Sequence, residues 1–382
     1  MDEEAPELGL VLTGGGARAA YQVGVLKGIA ELLRRGSGCP FPIITGTSAG
    51  AVSAVALASD PAHFRQAVYA IERVWRDFRV HQVFKADIVS VFRSGLHWLL
   101  ALLTGGWLVH PPHSLFDNTP LWTLLRSKLN FDEIPRGLYK GHLDAIGICA
   151  TGYADADSMT FYACASAIDP WQRAFRKGAR VQLTLNHVMA SLSIPFLFRP
   201  IFVQDQYYGD GAMRQTSPLS PAIHLGANRL LVIGVGDSAS ASFTPANPQV
   251  VPAFGQMFGF MLDSLFMDQL SKDLELIKLH NESPGVRHID TLVITPSQDL
   301  SEIARRHRQE LPGSLRALLR TLGANTSTGM QLLSYLLFER GYTRELIALG
   351  QKDARARAGE IRKFLALEHA PPYRATARSG SA

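Results

Sequence analysis

The sequence predicts an α/β fold in three layers, α/β/α, with a mainly parallel central sheet and a helical extension at its C-terminal end. Three observations predict it. Compact apolar runs of strand length recur at Leu8–Leu12, Ile43–Ile44, Leu143–Ala150, Arg229–Gly234 and Ile289–Thr295, and near-continuous apolar runs suit strands buried on both faces. The first two runs each end in a glycine turn that opens onto apolar residues at helical spacing. From about Ser301 onward the chain reads as helix and is weakly basic.

In order, Leu8–Leu12 is the first strand, and Thr13-Gly14-Gly15-Gly16-Ala17-Arg18 is a loop after it. A helix opens at Ala20 and runs to about Arg35, where Gly36-Ser37-Gly38 and then Pro40 and Pro42 stop it. Ile43-Ile44 starts a second strand. Pro61 to Phe78 forms an amphipathic helix, and the aromatic stretch Val83–Pro112 continues a helical cap or lid inserted over residues 61–130. Leu143–Ala150 and Ser158–Cys164 form a hairpin across Tyr153–Asp157. Gln182–Ser193 is a helix ended by Pro195, Pro200–Tyr208 a strand, and Phe254–His280 one long helix rich in Met and Phe. The expected organisation is a domain over 1–300, helices over 301–368, and a disordered tail over 369–382.

Composition narrows the function. The 382 residues are 47% hydrophobic and carry a net charge of +5, and the mean hydropathy is +0.05. So mild a basic excess requires no nucleic-acid partner and equally suits an anionic membrane surface. Three cysteines, Cys39, Cys149 and Cys164, make no disulfide framework and point to a reducing compartment. The acidic start Met1-Asp2-Glu3-Glu4 lacks the features of a signal peptide, so the expected location is cytoplasmic, peripheral at a membrane. Ser94–Val109 has no Asp, Glu, Lys or Arg, yet it is shorter than the roughly 20 residues a spanning helix needs and Gly105-Gly106 interrupts it. It reads as a buried or interfacial helix.

Three pieces of the chain can carry chemistry. Gly46-Thr47-Ser48-Ala49-Gly50, between a strand and a helix, has the pattern of a nucleophile elbow: a sharp turn holds the serine hydroxyl out of the sheet and glycines on either side admit the tight backbone. The helix dipole behind Ser48 favours a developing anion there. In the first loop, Gly14, Gly15, Gly16 and Ala17 present successive amides as an anion-binding concavity, which serves an oxyanion in acyl transfer or a phosphate in nucleotide binding. Ala19 stands where a dinucleotide fingerprint needs its third glycine, and no Gly-Lys-Ser/Thr follows for a P-loop. Arg18 braces this loop, meets an anionic head group, or is a solvated charge at the helix start. The third piece is Asp210, in a glycine turn at a strand end, where α/β sheets place functional groups. His187, His224, His280 and His288 sit in no motif and read as structural. The Phe254–Met267 run and the Trp98–Trp107 region read as core, or as an acyl-chain groove or lipid-facing surface.

Taken together, the loop TGGGARAAYQVGVL, the elbow GTSAG, the run ASLSIPFLFRP and the turn YYGDGA, in this order over Leu8–Ala212, resemble the patatin-like phospholipase family. The resemblance implies a patatin-like fold and a serine-dependent lipid acyl hydrolase of phospholipase A or lysophospholipase type. It implies Ser48 as nucleophile and Asp210 as base of a two-residue dyad, and oxyanion amides at Gly14, Gly15, Gly16 and Ala17. Arg18 matches the basic position of the loop and is expected to contact substrate. No cofactor or metal is expected, and the partners are a lipid substrate and a peripheral membrane surface. Two other readings stay open: a lipid-binding scaffold without turnover, and a phosphate-binding protein using the Gly14–Gly16 loop.

Overall fold

The computed structural model describes residues 7–85, 107, 114–236, 251, 253–321 and 330–367. Most of the Val83–Pro112 stretch and the whole of the 369–382 tail lie outside the described residues. Among those described, ten strands form one sheet: β1 (Leu8–Leu12), β2 (Ile43–Thr47), β3 (Ala145–Gly152), β4 (Ser158–Cys164), β5 (Trp171–Arg173), β6 (Arg176–Arg180), β7 (Ile201–Val203), β8 (Gln206–Asp210), β9 (Arg229–Ile233) and β10 (Asp290–Ile294). Their order is β10-β9-β1-β2-β3-β4-β6-β5, with β8 paired to β3 and β7 to β8. From β10 to β3 every pairing is parallel, whereas β4 and β8 both run antiparallel to β3.

The three layers follow from the alternation of side chains along a strand. Leu10, Leu12, Ile44, Ile146 and Ile148 face one core, which also takes the helices α1 (Ala20–Leu32), α2 (Ala49–Ala58) and α3 (Phe64–Arg76). Val11, Ile43, Ala145, Leu230 and Val232 face a second, smaller core with Leu219, Ala222, Leu270 and Ile277. The helices after residue 300 share the larger core: Leu300, Leu315, Leu333, Leu346 and Ile361 belong to it. A long helix, Arg340–Ala356, crosses α1 at glycines. A Cβ on Gly24 would lie 2.1 Å from the Ile347 carbonyl oxygen, and one on Gly350 2.2 Å from that of Tyr21. No helix among the described residues is long and apolar enough to cross a membrane.

Three features differ from the sequence expectations. The Met/Phe run is two helices, Phe254–Phe266 and Asp268–Glu282, broken at Met267. The break lets the run change faces of the sheet: Phe258, Leu262 and Phe266 enter the larger core, Leu270 and Ile277 the smaller. The strand expected over Pro200–Tyr208 is a tight hairpin, β7–β8, whose second arm ends at Asp210. Strands β5 and β6 add an edge that the polar stretch WQRAFRKGAR did not announce. There Trp171 covers Gly178, whose added Cβ would meet the indole at 2.3 Å, and stacks on Tyr162 with ring centroids 4.9 Å apart.

Candidate active site

Strand β2 ends at Thr47 and α2 begins at Ala49, so the whole reversal falls on Ser48. Ser48 has φ 53° and ψ −128°, a backbone region that L-residues rarely adopt and that costs about 1–3 kcal/mol. Its neighbours make the turn possible. A Cβ on Gly46 would meet the Gly50 carbonyl oxygen at 2.5 Å, and one on Gly50 would meet the Leu12 carbonyl oxygen at 2.2 Å. Helix α2, AGAVSAVALA, contains no charged residue, so nothing in it offsets the positive end that it turns toward Ser48.

Sheet pairing brings Asp210 to this point. β4 occupies one edge of β3 from Ala145 to Thr151, so β2 and β8 must share the other. β2 pairs with β3 as far as Thr47↔Cys149; the next register position, Ala150, pairs with Asp210 of β8. Running antiparallel to β3, the strand that delivers the carboxylate therefore ends next to the point where the strand that delivers the serine stops. Ser48 Oγ donates to Asp210 Oδ2 at 2.6 Å, and Ala212 N–H donates to Oδ1 at 2.9 Å. Asp210 is 1% exposed. Loss of water pushes its carboxyl up to about 7, against the Ser48 and Ala212 hydrogen bonds, which pull it down.

The helix Leu185–Ser191 and the turn after it hold both residues. Ser48 N–H donates to Ser191 Oγ at 2.8 Å, Ser191 Oγ donates to the Cys149 carbonyl at 2.6 Å, and Asp210 N–H donates to the Ser193 carbonyl at 2.8 Å. Thr151 Oγ1 donates to the Asp210 carbonyl at 2.8 Å. Sequence reasoning assigned no role to Ser191, Ser193 or Thr151. Ser191 and Ser193 lie in ASLSIPFLFRP, and two serines before a proline are no signal by themselves.

The loop after β1 closes the site. Gly14 lies against Ser48: a Cβ there would come within 3.0 Å of Ser48 Cβ and 2.6 Å of the Phe266 ring. Gly16, at φ 53°, faces the Tyr335 carbonyl oxygen, which a Cβ would meet at 2.5 Å. The amides of Gly14, Gly15 and Gly16 donate to no acceptor among the described residues. Ala17, fully buried, carries the loop through a 3-10 turn, Gly16–Ala19, into α1.

A family model, Patatin-like phospholipase, matches residues 10–223, more than half of the chain. The chain belongs to the patatin-like phospholipase family. A search of curated proteins finds no match. Among solved structures, human GIVD cytosolic phospholipase A2 bound to methyl gamma-linolenyl fluorophosphonate and terbium chloride is 15% identical with a TM-score of 0.44; the alignment covers 96% of this chain and 60% of that one. VipD from Legionella pneumophila is 14% identical with a TM-score of 0.33, covering 86% of this chain and 67% of that one. This patatin-like chain thus spans less than two thirds of the length of the human phospholipase.

Part of the site's wall comes from outside the family match. An apolar cavity of about 140 Å³ opens beside Ser48 and Gly16. Val52 and Ala56 of α2, Ile71 and Trp75 of α3, and Leu192 and Phe198 line it, and Tyr335, Leu336 and Phe338 close one side. Lys128 is the one charged residue among the described lining residues. Arg18 is not at this surface. It is 1% exposed, with its guanidinium 3.3 Å from Asp263 and hydrogen-bonded to Ser334 and Ser301. Its side chain thus faces the helices that carry Asp263, Ser301 and Ser334.

No histidine hydrogen-bonds to Ser48 or Asp210 among the described residues. His187 caps its own helix, its Nδ1 accepting from the Thr184 amide at 3.0 Å, and burial pushes its pKa down to about 4. His224 stacks on Trp171 with centroids 5.0 Å apart, and His280 and His288 are exposed. No group of three or more potential metal ligands occurs among the described residues.

Proposed function

We propose that the chain is a serine-dependent lipid acyl hydrolase that cleaves fatty-acyl esters of phospholipids, lysophospholipids or related lipids through an acyl-enzyme. The observation that carries the reading is the 2.6 Å contact between Ser48 Oγ and a fully buried Asp210 carboxylate, at the mouth of an apolar cavity. An ordinary carboxylate is too weak a base to take a serine proton efficiently. One pushed up to about 7 is matched to that task near neutral pH. Ser48 Oγ attacks the ester carbonyl as its proton passes to Asp210, and the amides of Gly14, Gly15, Gly16 and Ala17 hold the resulting oxyanion. The tetrahedral intermediate expels the alcohol portion of the lipid, which takes the proton back from Asp210. Water then attacks the acyl-enzyme and gives a proton to Asp210, which passes it to Ser48 Oγ as the fatty acid leaves. The acyl chain lies in the cavity between α2 and α3.

The reading predicts that the folded protein releases free fatty acid from lysophosphatidylcholine micelles and p-nitrophenolate from a soluble acyl ester. Mass spectrometry and absorbance measure the two products. A folded protein that binds lipid vesicles but releases neither product is a scaffold, and the hydrolase reading fails.

The substrate reaches the site from a membrane surface. The helix Phe254–Phe266 exposes Phe254, Met257 and Phe260 by 58%, 53% and 59%, three positions on one side of a helix whose last residue, Phe266, covers Gly14. Large apolar side chains left in water at this spacing suit shallow insertion into a lipid interface, and the net charge of +5 adds attraction to anionic lipid. Replacing the three with Ser is expected to weaken binding to anionic vesicles about tenfold or more while leaving turnover of a soluble short-chain ester within about twofold. Vesicle sedimentation and ester kinetics are the checks; unchanged sedimentation removes this helix from the membrane contact.

A further inference from the structure

We infer that Arg18 is a positioning residue: with Asp263, Ser301, Ser334 and Tyr335, all beyond the family match, it clamps the glycine loop in the geometry needed to receive an oxyanion. The inference rests on the reading of Gly14–Ala17 as oxyanion donors.

A guanidinium is a rigid planar fork whose donors point in fixed directions, so partners on several sides fix its position and that of the chain behind it. Arg18 has such partners. Nε donates to Ser334 Oγ at 2.7 Å, Nη2 donates to Ser301 Oγ at 3.0 Å, and Nη1 lies 3.3 Å from Asp263 Oδ1. The Tyr335 ring lies 4.1 Å from the guanidinium carbon, and its hydroxyl donates to Asp263 Oδ1 at 2.6 Å, orienting the carboxylate. These partners come from three helices, Phe254–Phe266, Leu300–His307 and Met330–Leu336. At 1% exposure Arg18 offers no face to a lipid head group. The same helices touch the loop directly, through Phe266 at Gly14 and Tyr335 at Gly16. The loop needs outside support because its own hydrogen bonding is sparse: among the described residues, Thr13 N–H to the Ile233 carbonyl at 3.4 Å and Arg18 N–H to the Gly15 carbonyl at 3.1 Å are its two backbone bonds outside regular elements, and neither engages Gly14 or Gly16. A shift of about 1 Å in an oxyanion donor costs on the order of a hundredfold in rate, so a clamp at this point acts on turnover rather than on affinity.

The test uses the full chain with Asp263→Asn, Ser334→Ala, Tyr335→Phe and Arg18→Lys. Two readouts are taken: steady-state kinetics on a neutral p-nitrophenyl ester and on anionic lysophosphatidylglycerol, and amide hydrogen exchange of a peptide covering residues 13–19. The expected result is a fall in kcat of about 10- to 100-fold on both substrates for Asp263→Asn and Arg18→Lys, with KM within twofold, and loop exchange at least tenfold faster. Ser334→Ala and Tyr335→Phe, which keep the guanidinium–carboxylate pair, move in the same direction by less. Three outcomes overturn the clamp: kcat and exchange both at wild-type values; a lower melting temperature with kcat per folded molecule unchanged; or a rise in KM confined to the anionic substrate, which would make Arg18 a head-group contact. If the wild type turns over neither ester, the hydrolase reading is what fails. The exchange measurement still decides whether these residues hold the loop.

Discussion

Ser48→Ala is expected to lower kcat on any acyl ester by at least about a thousandfold and to abolish covalent labelling by a fluorophosphonate ester. Removing a nucleophile leaves only the rate that binding and oxyanion stabilisation provide. The substitution is structurally mild. Alanine and serine pay a similar cost at φ 53°, and the two groups that fix the turn, the Ser48 amide on Ser191 and the glycines at 46 and 50, are untouched. Ser48→Gly is the companion variant. It is equally inactive, but it relieves the backbone strain and is expected to raise stability by about 1 kcal/mol, read as a higher denaturation midpoint. Ser191 and Ser193 are near enough to serve as controls. Label that persists in Ser48→Ala and maps to either of them would overturn the assignment of the nucleophile.

Asp210→Asn is expected to produce opposite effects on activity and stability: kcat falls about a thousandfold, while at pH 8 the melting temperature rises. The sign follows from burial. In the unfolded chain the carboxyl titrates near 3.8, and in the folded protein near 7. Between those values the folded state holds a proton that the unfolded state has released. The contribution of this carboxyl to stability is therefore greatest below about pH 4, declines as pH rises toward 7, and is flat above. About three pH units at roughly 1.4 kcal/mol each put the loss on the order of 4 kcal/mol. Asparagine has no charge to desolvate and keeps an oxygen for the Ala212 amide, so the variant lacks this decline. Melting curves of both proteins at pH 5 and pH 8 test it: the gap should open in favour of Asp210→Asn at the higher pH, and a variant less stable than wild type at both values contradicts it. The same titration shapes catalysis. Wild-type kcat/KM should rise about tenfold per pH unit up to about 7 and then level, because only the ionised carboxylate accepts the serine proton.

The elbow, the glycine loop and the Asp210 turn were legible in the sequence because each is a local signal: backbone that only glycine tolerates, beside one functional side chain, at the end of an apolar run. The parallel strands were legible for the same reason, since burial on both faces demands unbroken apolar residues. What was illegible depends on distant partners. Nothing near Arg18 announces that its guanidinium will be taken up by Asp263, Ser301 and Ser334. Nothing in WQRAFRKGAR announces an edge pair of strands, because the pairing of β6 with β4 and the cover from Trp171 substitute for an apolar pattern. The break at Met267 was hidden because both halves of the run are helix-forming. Only the change from one core to the other requires a bend.

On the proposed mechanism, the sharing of the β3 edge by β2 and β8, strands far apart in the sequence, also sets when the protein becomes reactive during synthesis. Ser48 and Asp210 are 162 positions apart, and Arg18 and Ser334 are 316 apart. At ribosomal speeds of about 5–20 residues per second, the serine emerges roughly 8 to 30 seconds before its carboxylate, and the loop's anchors follow later still. An incomplete polypeptide, or one truncated before residue 210, carries a serine with no base. On the proposed hydrolase mechanism, the nascent chain therefore stays inert until β8 has emerged.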